Sequence, residues 1–178
     1  MMNEVHSSRE FRVLVTGGRG YPHCEAVFER LATCRESAAR NGLKFIVIHG
    51  DCLTGADHWA ALWCRREGIE ERRFPPQWDL HGRSAGPRRN QRMLDEGQPD
   101  LVLAFPGGRG TVDTVRRAGT AGVLVAHLDS QVSPALSRAM QRVFEAEMVT
   151  DHAPSAGPAP GAARDEEQSV TDPCDLGR

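Results

Sequence analysis

Residues 100–111, DLVLAFPGGRGT, run from an apolar stretch straight into a proline and three glycines. An uninterrupted apolar run bounded by turn residues reads as a strand buried on both faces, the kind found in parallel sheets covered by helices. A helical pattern follows over 112–120, so the glycines occupy a strand-to-helix turn. In an open parallel sheet such turns lie beyond the carboxyl ends of the strands, where ligands collect and helix N-termini present free N–H groups. Three glycines behind a proline specify an unusual backbone there, and Thr111 is expected to cap the helix and to reach a phosphate.

Upstream, the same punctuation recurs. FRVLVT, residues 11–16, reads as a strand that ends at Gly17-Gly18-Arg19-Gly20, followed by a helix over 21–41 stopped by Gly42. The run at 44–48 is a second strand. Its exit, His49-Gly50-Asp51, leads to Gly55-Ala56-Asp57 and a helix closed by Gly68. Residues 69–74 form a polar strand expected at a sheet edge. A loop over 78–87 and a short helix over 88–96 precede the opening stretch, and 123–128 supplies the last strand. The predicted fold class is α/β: a three-layer, Rossmann-like open parallel sheet with helices on both faces, spanning 11–128. Residues 1–10 are expected to be a flexible N-terminus and 129–150 to hold a peripheral helix over 134–148. The Pro/Ala/Gly-rich acidic segment 151–178 is expected to be disordered.

The 178 residues suit a self-sufficient core. No run approaches the roughly 20 apolar residues of a membrane span, and the polar N-terminus lacks the pattern of a signal peptide. A cytoplasmic protein without a membrane role is expected. Five widely spaced cysteines (Cys24, Cys34, Cys52, Cys64, Cys174) never form the close pairs of zinc or redox motifs, so reduced, packed thiols are expected and no metal site. Residues 1–128 carry 18 Lys and Arg against 15 Asp and Glu, whereas 129–178 carry 4 against 9, so the acidic surplus sits in the tail.

Candidate ligand groups fall at the strand exits. Gly17, Gly18 and Arg19 form the first turn, and Pro106, Gly107, Gly108, Arg109, Gly110 and Thr111 the second. The second lacks the GK[ST] ending of a Walker A loop. Arg83, Arg88, Arg89 and Arg92 cluster around the start of the predicted helix 88–96, where cations oppose the macrodipole unless an anion binds between them; a solvated basic face is the other reading. Asn90 beside them can offer amide hydrogen bonds to a base or ribose. His49 and Asp57 are placed to line the crevice, though Asp57 also suits the first turn of a helix. Trp59 and Trp63, four apart, read as core packing. Trp78 reads either as a stacking surface for a base or as a packed loop anchor.

Four motifs in order, VTGGRGY (15–21), HGDCLTGAD (49–57), FPPQWDLHGRSAGPRRNQRML (74–94) and LVLAFPGGRGT (101–111), resemble the YspA/YpsA-related branch of the SLOG superfamily over about residues 11–128. The resemblance implies a Rossmann-like domain that binds a nucleotide or nucleotide-derived ligand, often as a sensor, with no further cofactor required. It implicates Gly17, Gly18, Arg19, His49, Gly50, Gly55, Asp57, Gly86, Arg89, Asn90, Gly107, Gly108, Gly110 and Thr111. A homo-oligomer or an effector protein is the expected macromolecular partner. The superfamily also holds LOG-type phosphoribohydrolases, which cleave the N-glycosidic bond of nucleoside 5′-monophosphates and whose loop reads PGGxGTxxE. Here the loop reads PGGRGTVDT: Thr114 stands at the glutamate position and Asp113 one residue before it, about 100° away around a helix. A hydrolase would therefore have to draw on Asp57, Asp113 or His49 for acid–base work. DprA-like binding of single-stranded DNA is a further alternative. The net charge of +3 on residues 1–128 and the shortage of aromatic platforms argue against it.

Overall fold

A computed structural model describes residues 9–128 and 138–143. The elements run β1 (Glu10–Thr16), α1 (Cys24–Arg40), β2 (Lys44–His49), α2 (Gly55–Glu67), β3 (Glu70–Arg73), α3 (Trp78–His81), α4 (Ala85–Asp95), β4 (Leu101–Ala104), α5 (Arg109–Thr120) and β5 (Leu124–His127). The sheet is wholly parallel, in the order β3-β2-β1-β4-β5. The protein has the predicted Rossmann-like α/β fold.

Side chains alternate across the pleat, which divides the apolar runs between two cores. Phe11, Val13, Val15, Phe45, Val47, Leu101 and Leu103 face α1 and α2 and are buried with Leu31, Ala60 and Trp63. Leu14, Ile48 and Val102 face the other way and pack with Met93 and Leu94 of α4 and Ala118 of α5. Burial on both sides is why these strands read as continuous apolar runs. The register of β1 against β4 is held at the amino ends of the strands by Asp100. One carboxylate oxygen accepts the Arg12 backbone N–H at 2.7 Å, and the other accepts an Arg12 guanidinium N–H at 3.1 Å.

β3, reading EERR, forms one edge. Ion pairs dress it, Lys44–Glu70 at 2.7 Å and Arg72–Glu10 at 2.9 Å, and charge on an edge strand discourages pairing with other chains. Among the described residues no helix is long and apolar enough to cross a membrane.

Several boundaries differ from expectation, among them the start of α1, at Cys24 rather than 21. Residues 78–81 are helical and a 3-10 turn over Gly82–Ser84 leads into α4, which starts at Ala85 rather than 88. Pro87 thus sits in the first turn of α4, where its missing N–H has no intrahelical role. α5 starts at Arg109, with Gly108 at the N-cap, so Thr111 lies inside the helix and does not cap it. Glu10 already belongs to β1, whereas residues 1–8 lie outside the described residues. Of the helix expected over 134–148, residues 138–143 are described and helical, with Ala139, Met140 and Val143 buried on the α1 side. The rest of it lies outside the described residues, as does the acidic segment 151–178.

Candidate functional site

β1 is flanked by β2 and β4; the chain leaves β1 for α1 on one face of the sheet and leaves β4 for α5 on the other. This divergence opens a crevice at the carboxyl ends of the strands. It has a volume of about 870 Å³ and draws its lining from the β1 exit, the start of α2, α3, α4 and the start of α5.

The glycines fall into two groups. A Cβ on Gly17 would stand 2.6 Å from Ala56 Cβ, and one on Gly18 would stand 3.1 Å from the Pro106 carbonyl oxygen. Gly55, at φ +72°, would drive a Cβ into the Gly18 carbonyl, and Gly107 would drive one into Thr111 Oγ1. These four let the two turns and the start of α2 pack directly on one another, joined by the Gly18 N–H to Pro106 carbonyl bond at 2.9 Å. Gly108 and Gly110 instead meet nothing within 4 Å. Both line the crevice at the α5 N-terminus, which has no side-chain capping bond. The first N–H groups of a helix have no intrahelical partner, and here the space around Gly108 and Gly110 is open.

A polar chain crosses beneath the crevice. Asp57 Oδ2 accepts the Gly50 N–H at 3.0 Å and lies 3.6 Å from Arg89 Nη1. The Arg89 guanidinium also donates to the Gly50 carbonyl, across a space that a Gly50 side chain would fill. Arg89 Nε donates to Asn90 Oδ1 at 3.0 Å. Asn90 Nδ2 in turn donates to the Gly110 carbonyl at 3.3 Å and to Asp113 Oδ2 at 3.0 Å, tying α4 to α5. Both amide donors of Asn90 are thereby occupied, which leaves it a brace rather than a donor to a base. Burial pushes the Asp57 carboxyl up, with Arg89 the main opposing charge, and pushes the Arg89 guanidinium down, opposed by Asp57.

Asp113 receives two further hydrogen bonds in the same region, from Arg117 Nε at 2.8 Å and Arg116 Nη2 at 3.0 Å, beside that of the Asn90 amide already described. Burial raises its carboxyl, but the hydrogen bonds from Arg117, Asn90 and Arg116 outweigh that and hold it below the usual aspartate range. Thr114 is buried and its hydroxyl donates to the Gly110 carbonyl at 3.1 Å. A folded-state pKa below the unfolded one gives stability that is complete above the unfolded value and is lost as pH falls through the folded value. Asp113→Asn is therefore expected to lower the melting temperature at pH 7, with the difference from the wild type closing on acidification. A pH-independent offset in thermal melts would show that the charge contributes nothing.

Several expected site residues do not reach the crevice. His49 was expected to line it but is fully buried: alternation along β2 puts it on the face of Phe45 and Val47. Its Nδ1 accepts the Asp51 N–H at 3.1 Å, leaving Nε2 to donate to Glu71 at 2.9 Å. It braces β2 against β3, away from the crevice. Gly50, Gly55, Pro106 and Gly107 stand behind the lining and shape it.

The arginine cluster divides, because α4 begins earlier than expected and only Arg83 precedes it. Arg83 and Arg89 line the crevice. Arg88 turns to a smaller pocket of about 240 Å³ beside Pro75 and His81. Arg92 pairs with Glu96 at 2.9 Å and covers the Phe74 ring at 5.7 Å. With Arg19 and Arg109, the crevice holds three exposed arginines, Arg19, Arg83 and Arg109, that form no ion pair among the described residues.

Thr16, the last residue of β1 and the start of the first expected turn, lines the crevice, and so does Met93, which was not among the expected groups. Met93 is signalled by its spacing of three, four and seven from Asn90, Arg89 and Gly86, one face of a helix. Of the thiols, Cys34 and Cys64 are buried and pushed up to about 12 by that burial, while Cys52 lines the crevice.

The sequence profile of the YspA, cpYpsA-related SLOG family matches residues 11–81. The Gene 61 protein of Mycobacterium phage D29 is 36% identical over 121 residues, an alignment covering 64% of this chain and 93% of that protein. Among solved structures, the Moco carrier protein from Chlamydomonas reinhardtii superposes with a TM-score of 0.50 at 17% identity, covering 80% of this chain and 96% of that one. At that identity the likeness speaks for the fold. With its ordered motifs, its parallel five-stranded sheet and these matches, the chain belongs to the YspA, cpYpsA-related SLOG family.

Proposed function

We propose that this protein binds a phosphate-bearing nucleotide or nucleotide-derived ligand in the crevice and acts as a sensor or regulatory module. The observation that carries this reading is the pairing of an uncapped α5 N-terminus, open at Gly108 and Gly110, with the unpaired Arg19, Arg83 and Arg109 on the same crevice. Helix N-terminal N–H groups and arginine forks are each suited to phosphate oxygens. Gly17, Gly18, Asp57, Gly86, Arg89 and Thr111 shape or line the same space. Titration calorimetry against a nucleotide panel, with mass spectrometry of small molecules released from the purified protein, is expected to reveal a phosphate-bearing ligand. Absence of binding by every phosphate compound would overturn the reading.

A hydrolase acting on an N-glycosidic bond has one observation in its favour: Asp57 lines the crevice with a carboxyl raised by burial, as suits a general acid. Against it, Thr114 stands where LOG-type enzymes carry glutamate, and Asp113 is held ionised by its three donors. The enzyme reading requires release of free base or ribose phosphate that Asp57→Asn abolishes. A protein that binds without turnover supports the module.

A further inference from the structure

α4 presents Gly86, Arg89, Asn90 and Met93 to the crevice. At one end of this face lies Trp78. The residue is 48% exposed, and a Cβ on Gly86 would stand 3.8 Å from its Cη2. At the other end Asn90 holds the Gly110 carbonyl in the first turn of α5. From Gly86 to Asn90 is one helical turn, a rise of about 6 Å. An aromatic surface and an anion-seeking helix end thus stand about one turn apart along the same wall.

The other two tryptophans have evident structural employment. Trp59 Nε1 donates to the Tyr21 carbonyl at 3.0 Å, and Trp63 is buried edge-on against Phe45 with Arg35 over its ring. Trp78 has no ring partner, cation partner or hydrogen bond from its indole among the described residues. Pro75 and Pro76 stiffen the chain leading to it. Leaving a tryptophan half in water forgoes much of the gain from burying so large a side chain. A ligand ring stacked on the indole would recover it.

The charge of the crevice specifies the other end of the ligand. Four arginines (Arg19, Arg83, Arg89, Arg109) line it against two aspartates, Asp57 and Asp113, and Asp113 is already engaged by Arg116 and Arg117. The surplus is at least two positive charges, which a single monoanion leaves uncompensated.

We propose that the crevice takes a nucleoside 5′-diphosphate. Its base stacks on Trp78, its ribose crosses the Gly86–Asn90 turn, where Gly86 leaves room, and its phosphates lie between the α5 N-terminus and Arg19, Arg83 and Arg109. This inference rests on the nucleotide-binding reading above and adds an aromatic subsite and a diphosphate to it.

The test is calorimetry with ADP and with inorganic pyrophosphate on the wild type, Trp78→Ala and Trp78→Phe, each checked for folding by thermal melts. ADP is expected to bind the wild type more tightly than pyrophosphate does. Trp78→Ala is expected to weaken ADP by roughly 5- to 150-fold, the range of base–aromatic stacking, while leaving pyrophosphate unchanged. Trp78→Phe, which keeps an aromatic face, is expected to restore most of the loss. Equal weakening of both ligands, or of neither, overturns the aromatic subsite. Pyrophosphate binding with no advantage to ADP also overturns it but leaves the phosphate reading standing. If neither compound binds, the diphosphate inference falls, and the phosphate reading falls with it only if the whole nucleotide panel also fails to bind.

Discussion

Gly108→Asp is expected to abolish ligand binding while leaving the fold as stable as before or slightly more so. Gly108 is the N-cap of α5 at φ −93° and ψ −152°, extended backbone that aspartate adopts readily, and nothing lies within 4 Å of a Cβ placed there. An N-cap carboxylate accepts hydrogen bonds from the second and third residues of the helix, here Gly110 and Thr111, and suits the positive end of the dipole. Over glycine the cap itself adds a few tenths of a kcal/mol, and the charge on the dipole brings the stabilisation to about 1 kcal/mol at most. Those same N–H groups are the ones offered to an incoming phosphate, so the new carboxylate competes from within the chain and adds a repelling charge. Losing two charge-assisted hydrogen bonds, at roughly 1.5–3 kcal/mol each, lowers affinity a hundredfold or more. Calorimetry with the ligand identified for the wild type, beside thermal melts, separates the two effects. Retained affinity would place the ligand elsewhere. Asn at the same position caps without charge and is expected to fall between the wild type and Asp.

Gly55→Ala is expected to do the reverse, damaging the fold first. Gly55 sits at φ +72°, in the left-handed region, and its Cβ would overlap the Gly18 carbonyl and crowd the Arg19 backbone. Backbone cannot yield as the end of a flexible side chain can. The conformational strain, about 1–2 kcal/mol, adds to an overpacking term of about 1–3 kcal/mol. A loss of roughly 2–5 kcal/mol is therefore expected in urea unfolding. Gly110→Ala is the control: open space and a helical position predict a gain of up to about 1 kcal/mol. If both alanines proved neutral, the contact between the β1 exit and the start of α2 would not be as tight as described. The pair also tests the division of the glycines, since equal destabilisation would mean that Gly110 is packed too.

The parallel sheet and its strand-to-helix turns were legible from residues 100–111 outward because burial on both faces leaves no polar alternation to misread. Both glycine turns and Asp57 were legible as neighbours of strand ends, and Arg89 and Asn90 as part of the basic cluster ahead of β4. The opening of α4 was not, because Gly82, Gly86 and Pro87 read locally as turn residues although a proline in a first turn leaves the helix intact.

The sequence by itself determined the strands, the helices that follow the glycine turns, the family, and the set of groups at the strand exits, since periodicity and glycine punctuation are local properties of the chain. Which of those groups face the crevice was decided only by the tertiary structure. Facing depends on pleat alternation and on contacts between segments distant in sequence. His49, expected in the crevice, is turned under β3 by the parity of β2. Asn90, expected to meet a base, spends its amide on Gly110 and Asp113 twenty or more residues away. Gly17, Gly18, Gly55 and Gly107 answer to one another, while Gly108 and Gly110 are left open at the mouth of α5, a distinction that no stretch of the chain contains until its turns are packed together.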